Sequence, residues 1–159
     1  MKKQISLCII IVFMLFSLNS QTKKMAITDF YITYNDVEVR LGESLIKLDS
    51  DCINKEYKIL KNNSYRYKVF DYSWGQVYTF EKSKDYKICG FVINSDEVFI
   101  IDKIRLGSEK QIVLEKRGIP FYQDDNSVFY YNDDFDVLEL KISFDKNNIV
   151  SKIQLFMGT

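Results

Sequence analysis

Lys103–Phe121 reads KIRLGSEKQIVLEKRGIPF, and its punctuation decides the fold. A short apolar strand ends at Leu106-Gly107. Ser108 is placed to cap a helix, and Gln111 three residues on completes a capping box. Glu109 falls in the first turn and Lys116 and Arg117 in the last, in the sense the helix dipole favours. Gly118 then supplies a left-handed stop and Pro120 prevents continuation. The same Arg-Leu-Gly stands earlier, in VRLGESLIKL at Val39–Leu48. Two matching mouths of candidate helices mark one module written twice.

Each mouth leads into strand-like segments. After the first come YRYKVFDY (Tyr65–Tyr72), QVYTFEK (Gln76–Lys82), YKICGFVI (Tyr86–Ile93) and EVFIIDKIRL (Glu97–Leu106). After the second come SVFYYN (Ser127–Asn132), DVLELKISF (Asp136–Phe144) and NIVSKIQLFM (Asn148–Met157). Each unit is expected to close on a hairpin, through Asn94-Ser95-Asp96 in one and Asp145–Asn148 in the other. The expected division is residues 1–20 as a signal peptide, 21–36 as a lead-in, 37–101 as the first repeat and 102–159 as the second, packed as one domain. Asp49–Asn62 reads as a further helix capped by Ser50, with Ile53, Tyr57 and Leu60 at helical spacing; a strand beginning at Tyr57 is the competing reading.

Alternation assigns faces. Leu138, Leu140, Ile142 and Phe144 should pack while Glu139, Lys141 and Ser143 meet water; Ile149, Ser151, Ile153 and Leu155 should share a side. Short helices on one side of antiparallel strands make an α+β layer, built from two tandem helix-plus-hairpin repeats.

The order of strand, Leu-Gly, short helix, Gly-Ile-Pro and two strands resembles the tandem repeats of β-lactamase inhibitor proteins. It is also similar to outer-membrane assembly lipoproteins of the SmpA/OmlA type. In the second unit Ile104, Leu106, Gly107, Ser108, Val113, Gly118, Pro120, Tyr130, Tyr131, Leu140, Ile142, Phe144, Asp145, Asn147, Val150 and Ile153 carry the likeness. Val39, Leu41, Gly42 and Leu45 carry it in the first. The resemblance implies a fold and no inherited inhibition, because one fold hosts many functions.

Lys2 and Lys3 precede ISLCIIIVFMLFSL and then NSQ, the layout of a secretory signal peptide with cleavage after Ser20. Export to a periplasm or the outside follows; the competing reading is an uncleaved anchor, for which the apolar run is short. Cys8 lies at the start of that run and not at the cut, which argues against lipidation. Loss of residues 1–20 removes two lysines and no acid, leaving a net charge near −2, so nucleic acid is disfavoured as a partner. Cys52 and Cys89 remain. In an oxidising compartment they either form a disulfide, contributing about 4 kcal/mol, or stay as buried thiols.

The chain has no histidine, which removes Ser-His-Asp and Cys-His catalysis and most zinc sites. No cofactor motif is present, and no enzyme is expected. Asp124, Asp125, Asp133, Asp134 and Asp136 are read mainly as turn residues, with Ca²⁺ ligation or carboxylate hydrolysis as lesser alternatives. Aromatics are the abundant resource. Tyr72, Trp74, Tyr78, Tyr130 and Tyr131 are the candidates for a surface that docks a protein of the envelope or exterior. The expected function is an exported, non-enzymatic binding module, an inhibitor or envelope scaffold; the alternative is a structural subunit of an envelope assembly. On this reading Trp74→Ala or Tyr130→Ala weakens partner capture while the fold stands.

Overall fold

The computed structural model describes residues 25–62, 65–132 and 138–157. The segment read as a signal peptide lies outside them, as do Asp133, Asp134 and Asp136. Among the described residues, eleven strands form two sheets. β1 (Tyr31–Tyr34), β2 (Val37–Arg40) and β7 (Phe99–Ile100) make a small sheet in the order β2-β1-β7. The large one holds β3 (Lys58–Asn62), β4 (Tyr65–Tyr72), β5 (Gly75–Phe80), β6 (Ile88–Ile93), β8 (Tyr122–Gln123), β9 (Ser127–Asn132), β10 (Leu138–Phe144) and β11 (Val150–Met157).

The large sheet runs β3-β4-β5-β6-β11-β10-β9-β8. It is two antiparallel four-stranded meanders, one from each half of the chain, joined along β6 and β11 with Ile153 opposite Ile93 and Phe156 opposite Gly90. The two Leu-Gly loops sit at opposite ends of this seam, each at the start of its own strand. Gly42 and Gly107 both have φ of +84°, a conformation that favours glycine. Gly42 N–H donates to Ile88 at 2.7 Å and Gly107 N–H to Val150 at 3.0 Å. In return Ile88 N–H donates to Glu43 at 2.9 Å and Val150 N–H to Ser108 at 2.8 Å. Each loop thereby clamps the start of a central strand.

The α+β expectation is corrected to a mostly β fold. Among the described residues there is one α-helix, α1 (Lys110–Arg117); the first Leu-Gly loop leads only into a 3-10 turn at Leu45–Lys47. Leu45 is the buried residue of that turn, too little apolar surface to hold a longer helix on a sheet. Asp49–Asn62 divides into a 3-10 turn at Cys52–Asn54 and the strand β3, so the strand reading prevails there. The capping box does not form. Ser108 Oγ instead accepts from Arg105 N–H at 3.2 Å, and α1 begins after Glu109. Gly118 does end α1, its N–H donating to Leu114 at 2.8 Å. The first unit's closing hairpin is also absent: β7 pairs with β1, while β6 pairs with β5 and β11. Asp102 and Lys103 are both left-handed (φ 61° and 55°), which breaks the run EVFIIDKIRL after Ile100.

The core lies on one face of the large sheet. Phe70, Val77, Phe91, Ile93, Leu140, Ile142, Ile153 and Leu155 face Phe30, Ile32 and Val39 of the small-sheet region and Val113 of α1 in one buried cluster. Arg117 is also fully buried; its Nη1 meets Asp102 at 2.9 Å and its Nη2 lies 3.8 Å from Asp29.

Candidate interaction surface

Strand parity fixes what the other face of the large sheet carries. Leu140 and Ile142 point into the core and oppose Tyr130 and Val128, so Glu139, Lys141, Tyr131 and Phe129 point away from it. Across β11, Leu155 and Ile153 are core, which turns Phe156, Gln154 and Lys152 outward. On the first meander Phe70 and Val77 are core, so Tyr67, Val69, Tyr78 and Phe80 share the open face.

These aromatic side chains touch in separate groups. Tyr65 and Tyr67 stack with centroids 6.5 Å apart, Tyr67 and Phe80 are 6.0 Å apart, and Tyr78 meets Phe156 edge-on at 5.1 Å. Tyr122 lies 5.3 Å from Phe129, and Phe121 meets Tyr131 at 5.0 Å. Gly90 makes the central contact possible. A Cβ there would stand 2.4 Å from the Phe156 ring, so the ring lies flat across β6 and reaches Tyr78. Val69 and Val92 are 1% and 7% exposed although they face away from the core; their cross-strand neighbours are Lys58 and Tyr78 for Val69 and Gln76 and Gln154 for Val92.

Polar side chains share this face, among them Lys58, Asp71, Gln76, Glu139, Lys141, Lys152 and Gln154. Tyr78 donates to Gln76 Oε1 at 2.9 Å and Tyr131 to Glu139 Oε2 at 3.1 Å. Burial, then Asp71, raises the Tyr78 phenol above its ordinary pKa; burial, then Glu139, does so for Tyr131. Both phenols stay protonated, hence donors, at neutral pH.

The structure divides the aromatic residues singled out from sequence. Tyr78 and Tyr131 lie on the open face. Trp74 is fully buried, stacked on Tyr72 at 5.1 Å and near Tyr34 at 5.5 Å. Tyr72 is half-buried on that same side, with Lys55 Nζ 3.6 Å from its ring. Tyr130 is 2% exposed and donates to the Gly118 carbonyl at 3.3 Å; burial pushes its pKa up to about 12. Trp74 and Tyr130 are therefore core residues, and their truncation would strike the fold before any docking. Tyr67, Phe80, Phe129 and Phe156 complete the surface and were not singled out. Their signal was parity: each alternates with a residue of the core.

Cys52 and Cys89 are free and buried. Cys52 belongs to the core cluster. Cys89 lies at the irregular step in the β5–β6 register, close enough to Tyr67 to act on its phenol. Burial raises both thiols, Cys89 to about 12. Asp124 forms a turn, its carboxylate accepting from Asn126 N–H at 2.9 Å. No group of three potential metal ligands occurs among the described residues. Outside the open face, a groove of about 700 Å³ beside the small sheet is lined by Tyr31, Thr33, Asn35, Asp36, Glu97, Phe99, Ile100, Asp102 and Lys103. Among the described residues no helix is long and apolar enough to cross a membrane.

No family model matches the chain, and no curated protein matches it. Two crystal structures do. A cysteine-rich secretory protein from Staphylococcus aureus aligns at 11% identity and a TM-score of 0.47, over 74% of this chain and 44% of its own. An extracellular protein containing an SCP domain from Bacillus anthracis aligns at 13% and 0.48, over 86% of this chain and 49% of its own. The chain thus spans less than half the length of either. With one α-helix among the described residues and no closing hairpin in the first unit, the resemblance to β-lactamase inhibitor proteins and SmpA/OmlA-type lipoproteins does not hold for this chain.

Proposed function

We propose that this chain is an exported, non-enzymatic module that binds a protein partner across the open face of its large sheet. Export rests on the Lys2-Lys3 start and the apolar run after it. Binding rests on one observation: the face opposite the core carries four groups of touching aromatic rings, Tyr65 with Tyr67 and Phe80, Tyr78 with Phe156, Tyr122 with Phe129 and Phe121 with Tyr131, and no other described element covers it. An antiparallel sheet with one wet face ordinarily fills that face with polar side chains; a large exposed apolar patch marks an interaction site. Eight strands about 4.8 Å apart and about 20 Å long present roughly 700 Å². A stable interface takes about 800 Å² from each partner. Charged side chains share the face with the rings, Lys58 and Asp71 on β3 and β4 and Glu139, Lys141 and Lys152 on β10 and β11, so a partner would meet polar as well as apolar groups. The matched loops and paired meanders support a chain built as two tandem units, a doubling that widens the face.

The test is capture of a partner from native envelope extract by the immobilised protein. Tyr78→Ala with Phe156→Ala should cut capture tenfold or more, since a central aromatic anchor contributes about 2 kcal/mol. Undiminished capture by the folded double variant refutes the reading.

A further inference from the structure

The two edges of the large sheet are unequal. β8 is two residues long, a common way of blunting an edge. β3 is five residues long, and Lys58–Lys61 are all exposed, with Ile59 and Leu60 each at 47%. Among the described residues β3 pairs only with β4.

The ladder shows which backbone groups are free. The Arg66 carbonyl accepts from Glu81 N–H at 3.0 Å, on the β5 side. In an antiparallel sheet successive residues turn their N–H and C=O to opposite neighbours. Tyr65, Tyr67 and Val69 therefore face β3, where their partners are Asn62, Leu60 and Lys58. Ile59 and Lys61 are left with two N–H groups and two carbonyls pointing off the sheet.

We infer that β3 is a strand-addition site for an extended acidic segment of a partner polypeptide, one that alternates acidic with apolar side chains. This goes beyond the aromatic face, which a strand on the edge does not need. Charge selects the occupant. Ile59 opposes Lys68 and Lys61 opposes Arg66, so one face of this edge presents three cations around an isoleucine. Arg66 is paired with Glu81, but among the described residues Lys61 has no ion-pair partner and Lys68 has only the rings of Tyr57 and Tyr86. Acidic side chains on that face of an added strand meet Lys61 and Lys68. Apolar ones on the other face lie against Leu60. The same cations count against a second copy: with Leu60 opposite Leu60, the two Lys61 side chains become diagonal neighbours, and the two-residue shift that again matches outward backbone groups sets Lys61 opposite Lys61. A sheet edge that adds a peptide strand draws affinity from the backbone and specificity from alternate side chains.

The experiment uses a fluorescein-labelled ten-residue peptide of alternating glutamate and valine, titrated against the purified protein by anisotropy. Binding should weaken at least tenfold with Lys61→Glu plus Lys68→Glu. It should weaken as much with Ile59→Pro, which removes an outward N–H and no ladder bond. A peptide N-methylated at alternate residues should fail to bind, and this arm leaves the protein untouched should Ile59→Pro disturb folding. A lysine–valine peptide should not bind. The proposal is overturned if the acidic peptide does not bind, if N-methylation leaves binding intact, or if the lysine peptide binds equally. It is equally overturned if sedimentation shows a dimer that Ile59→Pro dissociates and the acidic peptide does not displace.

Discussion

Replacing Trp74 by alanine tests the division between core and open face most sharply, because Tyr78 sits nearby in sequence and on the opposite side. Trp74 is fully buried, and its ring is sandwiched by Tyr72 and Tyr34, 5.1 Å and 5.5 Å away. Truncation removes the transfer energy of the indole and leaves a cavity between the two sheets; aromatic-to-alanine changes in such sites cost about 3–5 kcal/mol. Loss of two ring pairs, at about 0.5–1.5 kcal/mol each beyond area, keeps the estimate at the upper end. The indole Nε1 has no hydrogen-bond partner, so no polar contact is lost to add to it. For a domain of this size each kcal/mol moves Tm by about 3–5 °C, giving a fall of about 10–20 °C. Tyr78→Ala exposes Phe156 and removes a half-exposed ring, for about 1 kcal/mol and less than about 5 °C. Thermal melts followed by circular dichroism, with urea titration for the free energies, decide the matter. Equal destabilisation by the two substitutions, or a stable Trp74→Ala, would refute the assignment of faces.

The buried guanidinium gives a second ordering. Asp102→Asn keeps a residue suited to the left-handed backbone there and removes the charge facing Arg117, so urea titration should show a loss of about 3 kcal/mol. Arg117→Met should cost less, because it removes the fully buried charge and leaves unpaired only the Asp102 carboxylate, whose side chain is 32% exposed and can be hydrated; the reverse order would contradict the pairing. Cys52 and Cys89 should be inert to a thiol reagent at pH 8 in the folded protein and both titrate in denaturant, since burial raises both thiols. Asp145 accepts from Asn147 and Ile149 N–H at 2.8 and 2.9 Å, and these bonds hold its carboxyl below the usual range. Its contribution is complete above the unfolded pKa, about 4, and is lost as pH falls through the lower folded value. Asp145→Asn should accordingly flatten the acid limb of a stability–pH curve, and an unchanged limb would count against it.

How much of this was legible depended on whether a residue's fate was local. Leu138–Phe144 packs by strict alternation, as the sequence implies, with Leu138, Leu140, Ile142 and Phe144 buried. In β11 the same reasoning slips. The register shifts between Ser143 and Phe144, so Val150 joins Ile153 and Leu155 in the core and Ser151 turns outward. A bulge resets parity, and nothing in NIVSKIQLF announces one. The run EVFIIDKIRL is strand-like throughout, yet two left-handed residues end β7 and deliver it to the other sheet. Helix punctuation was legible at Gly118 and misleading at Ser108, whose hydroxyl serves the preceding turn. Among the aromatic residues of the open face, Tyr78 and Tyr131 were reached from composition. Ser73-Trp74-Gly75 reads as an exposed turn because its cover, Tyr34, is distant in sequence and belongs to the other sheet. Phe156 needed the register across β6, where Gly90 leaves room for its ring.

Photo-crosslinking in the native envelope tests the central claim most directly. A benzophenone side chain placed in turn at Tyr67, Tyr78, Phe129 and Phe156 on the open face, and at Ile46 and Ile112 away from it, reports what lies within reach. The account predicts one adduct of common mass from the four face positions and none from the two controls. Adducts from the controls alone, or none from the face while a partner is bound, would contradict it.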